Sequence, residues 1–199
     1  MLLSDRDIKK YIKAGKIKIS PAPNFKDQLG PCSIDLRLGK VFKFFKRAEI
    51  PFIDLKNEFP IDKIMSEFKP APGKPLIMQP GDFIITTTEE TIEVPPDLAA
   101  RIDGRSSLAR LGIVIHITAA RFDPGWKGKA VMELGNLGTL PVALYPGMRI
   151  CAITFETLSS PVEVPYLKQI DHKYAHQKNP RASRLNHEPE FKKKKKRKK

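Results

Sequence analysis

Hydrophobic and polar positions alternate along most of this chain, with only a few changes of period. Ile8, Tyr11 and Ile12 recur at helical spacing in the opening segment. Ser4 can cap that helix, Asp7 sits three residues on as in a capping box, and Gly15 stops it. KIKIS predicts a short strand and PAPNF a proline-rich turn. From residue 33 the period is two: SIDLRL alternates and VFKFF continues it. Residues 60–75, rich in Pro and Lys, predict a loop with one helical turn at IDKIMSEF.

From residue 76 strand follows strand. PLIMQPGDFIITTTEETIEVPPDLAARID is punctuated at Pro80-Gly81 and Pro95-Pro96. IVIHIT, KAVMEL, PVALY and RICAITFE follow, split by DPGWKG, GNLGT and PGM. Short strands with regular turns predict a mainly β fold, an antiparallel barrel or sandwich. RICAITFE is nearly all apolar and is expected to be covered on both faces. Periodicity fades after Pro165, and disorder is expected after Pro180. The expected organisation is one domain over residues 1–180 and a disordered basic tail over 181–199.

Composition narrows the function classes. No apolar run approaches the roughly 20 residues of a membrane span. MLLSDRDIKK has no long apolar stretch and is not expected to be a signal peptide. Cys32 and Cys151 lie far apart, with no CxxC or Cys/His cluster. Neither a disulfide framework nor a structural zinc site is indicated, and a cytoplasmic location is expected. The net charge of +14 divides unevenly, since KKKKKRKK at residues 192–199 holds eight of the positive charges. Without them 28 basic residues face 22 acidic ones, leaving +6. The run reads as a solubilising tail, with salt-sensitive attraction to nucleic acid as the sharper alternative. No aromatic residue interleaves it, so base stacking has no platform there.

Three stretches carry candidate chemistry. In GRSSLARLG, residues 104–112, Ser106 or Ser107 is a good N-cap and Gly112 can end the turn. Ser106 and Arg110 are four apart and share a helix face. The free N–H groups of the helix start, with Arg105 beside them, form either an anion site or an ordinary capped surface turn. GxxxxGK[ST] is absent, so this is not a P-loop.

In HITAARFDPGWKGKAVMEL, residues 116–134, alternation puts Ala130, Met132 and Leu134 on one face of a strand. Lys129, Val131 and Glu133 take the other. Glu133 is thus a carboxylate within an apolar strand. Buried, it suits proton transfer; exposed, it pairs with Lys129. His116, alone in IVIHIT, reads as a hydrogen-bonded core residue. His172, His176 and His187 do not make a zinc site with Asp171. In PYLKQIDHKYAHQ, residues 165–177, Tyr166, Lys173 and Gln177 are seven and then four apart. That is one face if the segment is helical, and it either closes over a polyphosphate or frays as a polar end.

GRSSLARLG, HITAARFDPGW, VMEL and PY…KY…Q, in this order, resemble the dCTP deaminases of the trimeric dUTPase-like superfamily. The resemblance runs from LLSDRDI to PRASR and leaves out the lysine tail. It implies a distorted antiparallel barrel or jelly roll with a short N-terminal helix. It also implies a homotrimer with active sites between subunits. Glu133 matches the family's general base, with Ser106 and Arg110 near the reacting ring. The segment Arg105, Ser106, Ser107, Leu108, Ala109 and Arg110 matches the nucleotide-binding motif, and Ala119 belongs to the same expected contact set. Asp123 matches the deoxyribose contact, and Val131 and Met132 flank the base. Tyr166, Lys173 and Gln177 match the groups that hold the triphosphate.

The implied reaction is hydrolytic loss of the C4 amine of dCTP, giving dUTP. The zinc-deaminase pattern H-x-E…P-C-x-x-C is missing, so Glu133 itself is expected to activate the water. Mg²⁺ is expected only with the substrate's phosphates, and dTTP is an expected feedback inhibitor by resemblance. TAARFD has Ala120 where single-function relatives carry a histidine and bifunctional ones a glycine. The product therefore stays open between dUTP and, in a bifunctional enzyme, dUMP with diphosphate. A non-catalytic nucleotide-binding module is the alternative from another class.

Overall fold

The computed structural model describes residues 1–46, 52–54, 61–170, 172–185 and 188. The lysine run, Asp171 and His187 lie outside the described residues. Helix α1 (Asp5–Lys13) begins at Ser4, whose hydroxyl accepts from the Asp7 amide. Its Ile8 is buried, and Gly15 follows at φ +69°. The chain then runs through β1 (Lys18–Ser20), the single turn α2 (Phe25–Gln28) and the long strand β2 (Ile34–Phe45). A 3₁₀ turn (Ile61–Ile64) leads to β3 (Met65–Phe68), then β4 (Leu76–Met78), β5 (Phe83–Glu93) and β6 (Leu98–Gly104). The single turn α3 (Ser106–Ala109) precedes β7 (Ile113–Val114), β8 (Arg121–Phe122), β9 (Lys127–Asn136), β10 (Val142–Leu144) and β11 (Arg149–Thr157).

The main path of the sheet is β7-β9-β5-β2-β11-β6-β8, with β1 on β5 and β3 on β2. All these pairings are antiparallel, and β10 pairs with β4 in a separate ribbon. The sheet curls into a half-barrel, as the mainly β expectation requires. One face buries the alternating apolar set, including Ile34, Leu36, Met132, Ile153 and Phe155, each at 0% exposure. Phe122 and Trp126 pack edge to face beside it, with ring centres 4.6 Å apart.

Three local expectations need correction. MSEF, read as part of a loop, is β3, because Phe42–Phe45 of β2 offers an open strand edge that it pairs with. RICAITFE is not covered on both faces: Ile153 and Phe155 are buried, whereas Ala152 and Thr154 are half-exposed. IVIHIT pairs only at Ile113 and Val114, and alternation breaks at Ile117, which is 57% exposed.

At Glu90 and Thr88 the polar groups buried in the curl are matched. Glu90, with 0% exposure, accepts from Arg37 N at 2.9 Å and Arg37 Nε at 2.7 Å, with Gln28 Nε2 at 3.3 Å. That hydrogen bond raises the Arg37 pKa above its ordinary value. Where β5 slips register against β9, the Thr88 hydroxyl accepts from Ala130 N at 3.0 Å and supplies the missing partner. Among the described residues no helix is long and apolar enough to cross a membrane.

Candidate active site

Strand β9 carries the centre of the site. Ala130, Met132 and Leu134 turn into the core at 0% exposure, and Lys129, Val131 and Glu133 turn outward, as alternation predicts. β5 holds one side of the strand, with Ile85 opposite Glu133. β7 holds the other, with Ile113 opposite Asn136 and Val114 opposite Gly135. Two more residues in that register bring His116 across from Glu133.

His116 Nδ1 lies 2.6 Å from Glu133 Oε2. The imidazole is 6% exposed and the carboxylate 32%. The oxygen sits off the line of the ring N–H, and the buried Nδ1 has no aligned hydrogen bond. The two groups are therefore within proton-transfer reach, in the loose geometry usual before a substrate binds. Glu133 does not pair with Lys129, and His116 is buried as expected but sits beside the Glu133 carboxylate without the hydrogen bond expected of it. Sequence reading missed this pair because its signal is a strand register, which no local pattern displays.

The α3 turn is built differently. Its N-cap position belongs to Arg105, not to Ser106 or Ser107, and no side chain caps it. Ser106, Ser107, Ala109 and Arg110 are exposed, while Leu108 is buried. Arg110 N bonds back to Ser106 O at 3.1 Å, so the two residues do share one turn. Among the described residues no hydrogen bond or ion pair joins α3 side chains to Glu133. Gly112, at φ +84°, ends the turn, and a Cβ there would meet Gly138 N at 2.3 Å. Leu108 and Met132 give their side chains to the core, which leaves only their backbone groups for the contacts expected of them.

The remaining predicted residues cluster around the DPGW turn and the C-terminal segment. Asp123 is 44% exposed and pairs with Arg121 at 3.3 Å. Ala119 is exposed, and the Ala120 carbonyl accepts from Ile102 N at 3.0 Å. Tyr166 opens a 3₁₀ turn, and its amide donates to Pro124 O at 2.9 Å. The segment is not a helix, so Tyr166, Lys173 and Gln177 are not aligned by helical spacing. Instead it lies along β9: His176 N donates to Lys127 O at 2.7 Å and Lys129 N to Gln177 O at 2.9 Å. The Tyr166 hydroxyl accepts from Tyr174 N at 3.2 Å.

Gln177 is 4% exposed, and its Oε1 has no hydrogen-bond partner. Lys173 Nζ donates to the Glu188 carboxylate, which raises the lysine pKa above its ordinary value. Past residue 180 the chain still packs: Ala182 is 3% exposed beside Met65 and Ile85, with Val131 against them. Among the described residues no three His, Cys, Asp or Glu side chains converge as a protein-built metal cage requires.

Three comparisons bear on this arrangement. A family model described as dCTP deaminase-like matches residues 2–158. The curated dCTP deaminase of Thermomicrobium roseum is 54% identical over 185 residues, 93% of this chain and 94% of that one. The curated dCTP deaminase, dUMP-forming, of Dictyoglomus thermophilum is 51% identical over 186 residues, 94% of this chain and 95% of that one. The solved 2'-deoxycytidine 5'-triphosphate deaminase from Agrobacterium tumefaciens shares the fold, with a TM-score of 0.60 at 24% identity. That match covers 79% of this chain and 48% of the other, so this chain spans about half the length of that relative.

Proposed function

The chain belongs to the dCTP deaminase-like family, and on that premise we propose that it hydrolyses the C4 amine of dCTP, with Glu133 as general base. The observation that carries this reading is the half-buried carboxylate on β9 with the His116 imidazole 2.6 Å away. Glu133 takes a proton from water, and the hydroxide adds to C4. Glu133 hands that proton to N3, then carries the proton of the new C4 hydroxyl to the amine, so ammonia leaves and a C4 carbonyl beside an N3–H remains. His116 is near enough to hydrogen-bond the carboxylate once the site closes on substrate. General-base help supplies about 10²–10⁴-fold, so positioning supplies much of the rest.

Ser106 and Arg110 orient the ring and stabilise developing charge. Their exposure on α3 suits a site completed between copies of the chain. Leu111, Leu137 and Leu140 are 56%, 79% and 73% exposed in the neighbouring loops, an apolar patch a second copy would cover in the expected homotrimer. Asp123 contacts the deoxyribose, while Tyr166, Lys173 and Gln177 hold the triphosphate. The substrate would displace Glu188 from Lys173. Among the described residues no acidic cage converges, and Mg²⁺ fits as a counter-ion carried on the phosphates, with one or two protein carboxylates at most.

A second reading keeps the deamination and adds cleavage of the triphosphate, giving dUMP and diphosphate. The dUMP-forming name of the relative at 51% identity favours it. One experiment separates the readings: purified protein is incubated with dCTP and Mg²⁺ and the products are resolved. Ammonia with dUTP supports the first reading; ammonia with dUMP and diphosphate supports the second. Nucleotide binding without ammonia defeats both.

A further inference from the structure

We propose that Asp35 is a positioning residue for nucleotide binding, fixing the Arg105 guanidinium at the start of α3 with Arg149 as the second cation of the same clamp. The inference rests on the reading of Arg105 as a nucleotide-binding residue. Asp35 lies in SIDLRLG, where Ile34, Leu36 and Leu38 enter the core and Asp35 and Arg37 turn the other way. Strands β2, β11 and β6 are neighbours in the sheet. Asp35 sits opposite Ala152, which in turn sits opposite Asp103. Arg105 is two residues past Asp103, so it leaves β6 at the end where β2 presents Asp35. The β2–β11 register shifts between Arg149 and Cys151, and such a bulge re-aims the side chains beside it.

The three side chains meet there. Asp35 Oδ2 is 3.3 Å from Arg105 Nε and 3.2 Å from Arg149 Nη1. Arg105 Nη1 also donates to the Arg149 carbonyl at 3.3 Å, and Arg149 Nη1 donates to the Asp27 carbonyl. Asp35 is 19% exposed and Arg105 30%, so water screens the contact only in part. A guanidinium has five N–H groups. Nε and one N–H of Nη1 face the clamp, which leaves the Nη2 pair and the other Nη1 hydrogen for a ligand. Asp35 thereby selects one rotamer of Arg105 and neutralises the repulsion between the two arginines. It has no contact with Glu133, so its loss should weaken nucleotide binding and spare the chemical step.

The test is Asp35→Asn in the full chain, with steady-state kinetics on dCTP. KM should rise about 10-fold while kcat stays within about two-fold. Because Asp35 acts through Arg105, Asp35→Asn added to Arg105→Gln should raise KM no further than Arg105→Gln alone. An unchanged KM, or effects that multiply in the double variant, overturns the proposal. If Asp35→Asn does not fold, Asp35→Asn with Arg149→Gln removes the like-charge repulsion. Its KM is compared with that of Arg149→Gln alone: a rise supports the clamp, and equality overturns it. If the wild type releases no ammonia from dCTP, the deaminase reading fails on its own. The same coupling is then read in the Kd for dCTP by calorimetry, and absence of any dCTP binding overturns both.

Discussion

Strand β9 and the α3 turn each present predicted site residues, but they are built to opposite rules. β9 is hydrogen-bonded on both sides, by β5 and β7, and buries every second side chain. At Glu133 the support comes from β5, since the β7 ladder ends at Gly135, and His116 follows β7 to lie 2.6 Å from the carboxylate. α3 is one turn outside the sheet, with four of its site residues exposed and only Leu108 anchored. One region is finished within a single chain, while the other displays groups to whatever lies across from it. A carboxylate proposed to move a proton needs close placement, which pairing with β5 helps to supply. Residues proposed to grip a nucleotide can sit at an edge, provided a second surface or a clamp such as that proposed for Asp35 fixes them.

The contrast can be broken most severely at Glu133. Glu133→Gln keeps the shape and removes the base. Ammonia release from dCTP should fall about 10³-fold or more, with dCTP binding by calorimetry retained. A near-normal rate would remove Glu133 from the role proposed for it. Met132→Ala attacks the same strand from its core face. Met132 is wholly buried, so its truncation should cost about 3 kcal/mol of stability, read as a lowered denaturant midpoint. Arg110→Ala sharpens the difference: Arg110 is exposed, so the midpoint should hold while kcat/KM drops about 10²-fold. A lowered midpoint would show that α3 is as integral to the fold as β9.

The smallest effect concerns acid stability at the foot of β9. The hydrogen bond from Lys127, with further help from Lys18, lowers the Glu93 pKa below its ordinary 4.5. A depressed carboxylate contributes stability that is present above the unfolded value and lost as pH falls through the folded value. Glu93→Gln should therefore cost under about 1 kcal/mol at pH 6 and nothing once Glu93 is protonated. Thermal melts of both proteins from pH 6 to pH 3 should converge at the acid end. A gap that persists there would assign the loss to packing instead.

How much was legible along the chain varied with the range of the interaction. The helix Asp5–Lys13 is local, since its cap, apolar face and glycine stop lie within 15 residues. The two faces of β9 were legible because pleating forces alternation on any strand. MSEF was misread because four residues of mixed polarity do not say whether an open edge awaits them. The α3 cap was misread because two serines look like caps wherever the chain turns, and the end of β6 decided the position. The tie between the C-terminal segment and β9 uses backbone amides, which carry no residue signature.

Composition and period thus determined a mainly β chain, a short capped helix at its start, and the outward face of Glu133. Residue identity in GRSSLARLG, HITAARFDPGW and VMEL carries the resemblance to the dCTP deaminases. Only the tertiary structure decided that His116 answers Glu133, that Arg105 is held by Asp35 and Arg149, and that Gln177 is buried against β9. The reason is physical. Periodicity reports which side of an element meets water, a local property of each strand. Partnership across strands depends on register and bulges, set by all the strands packing together.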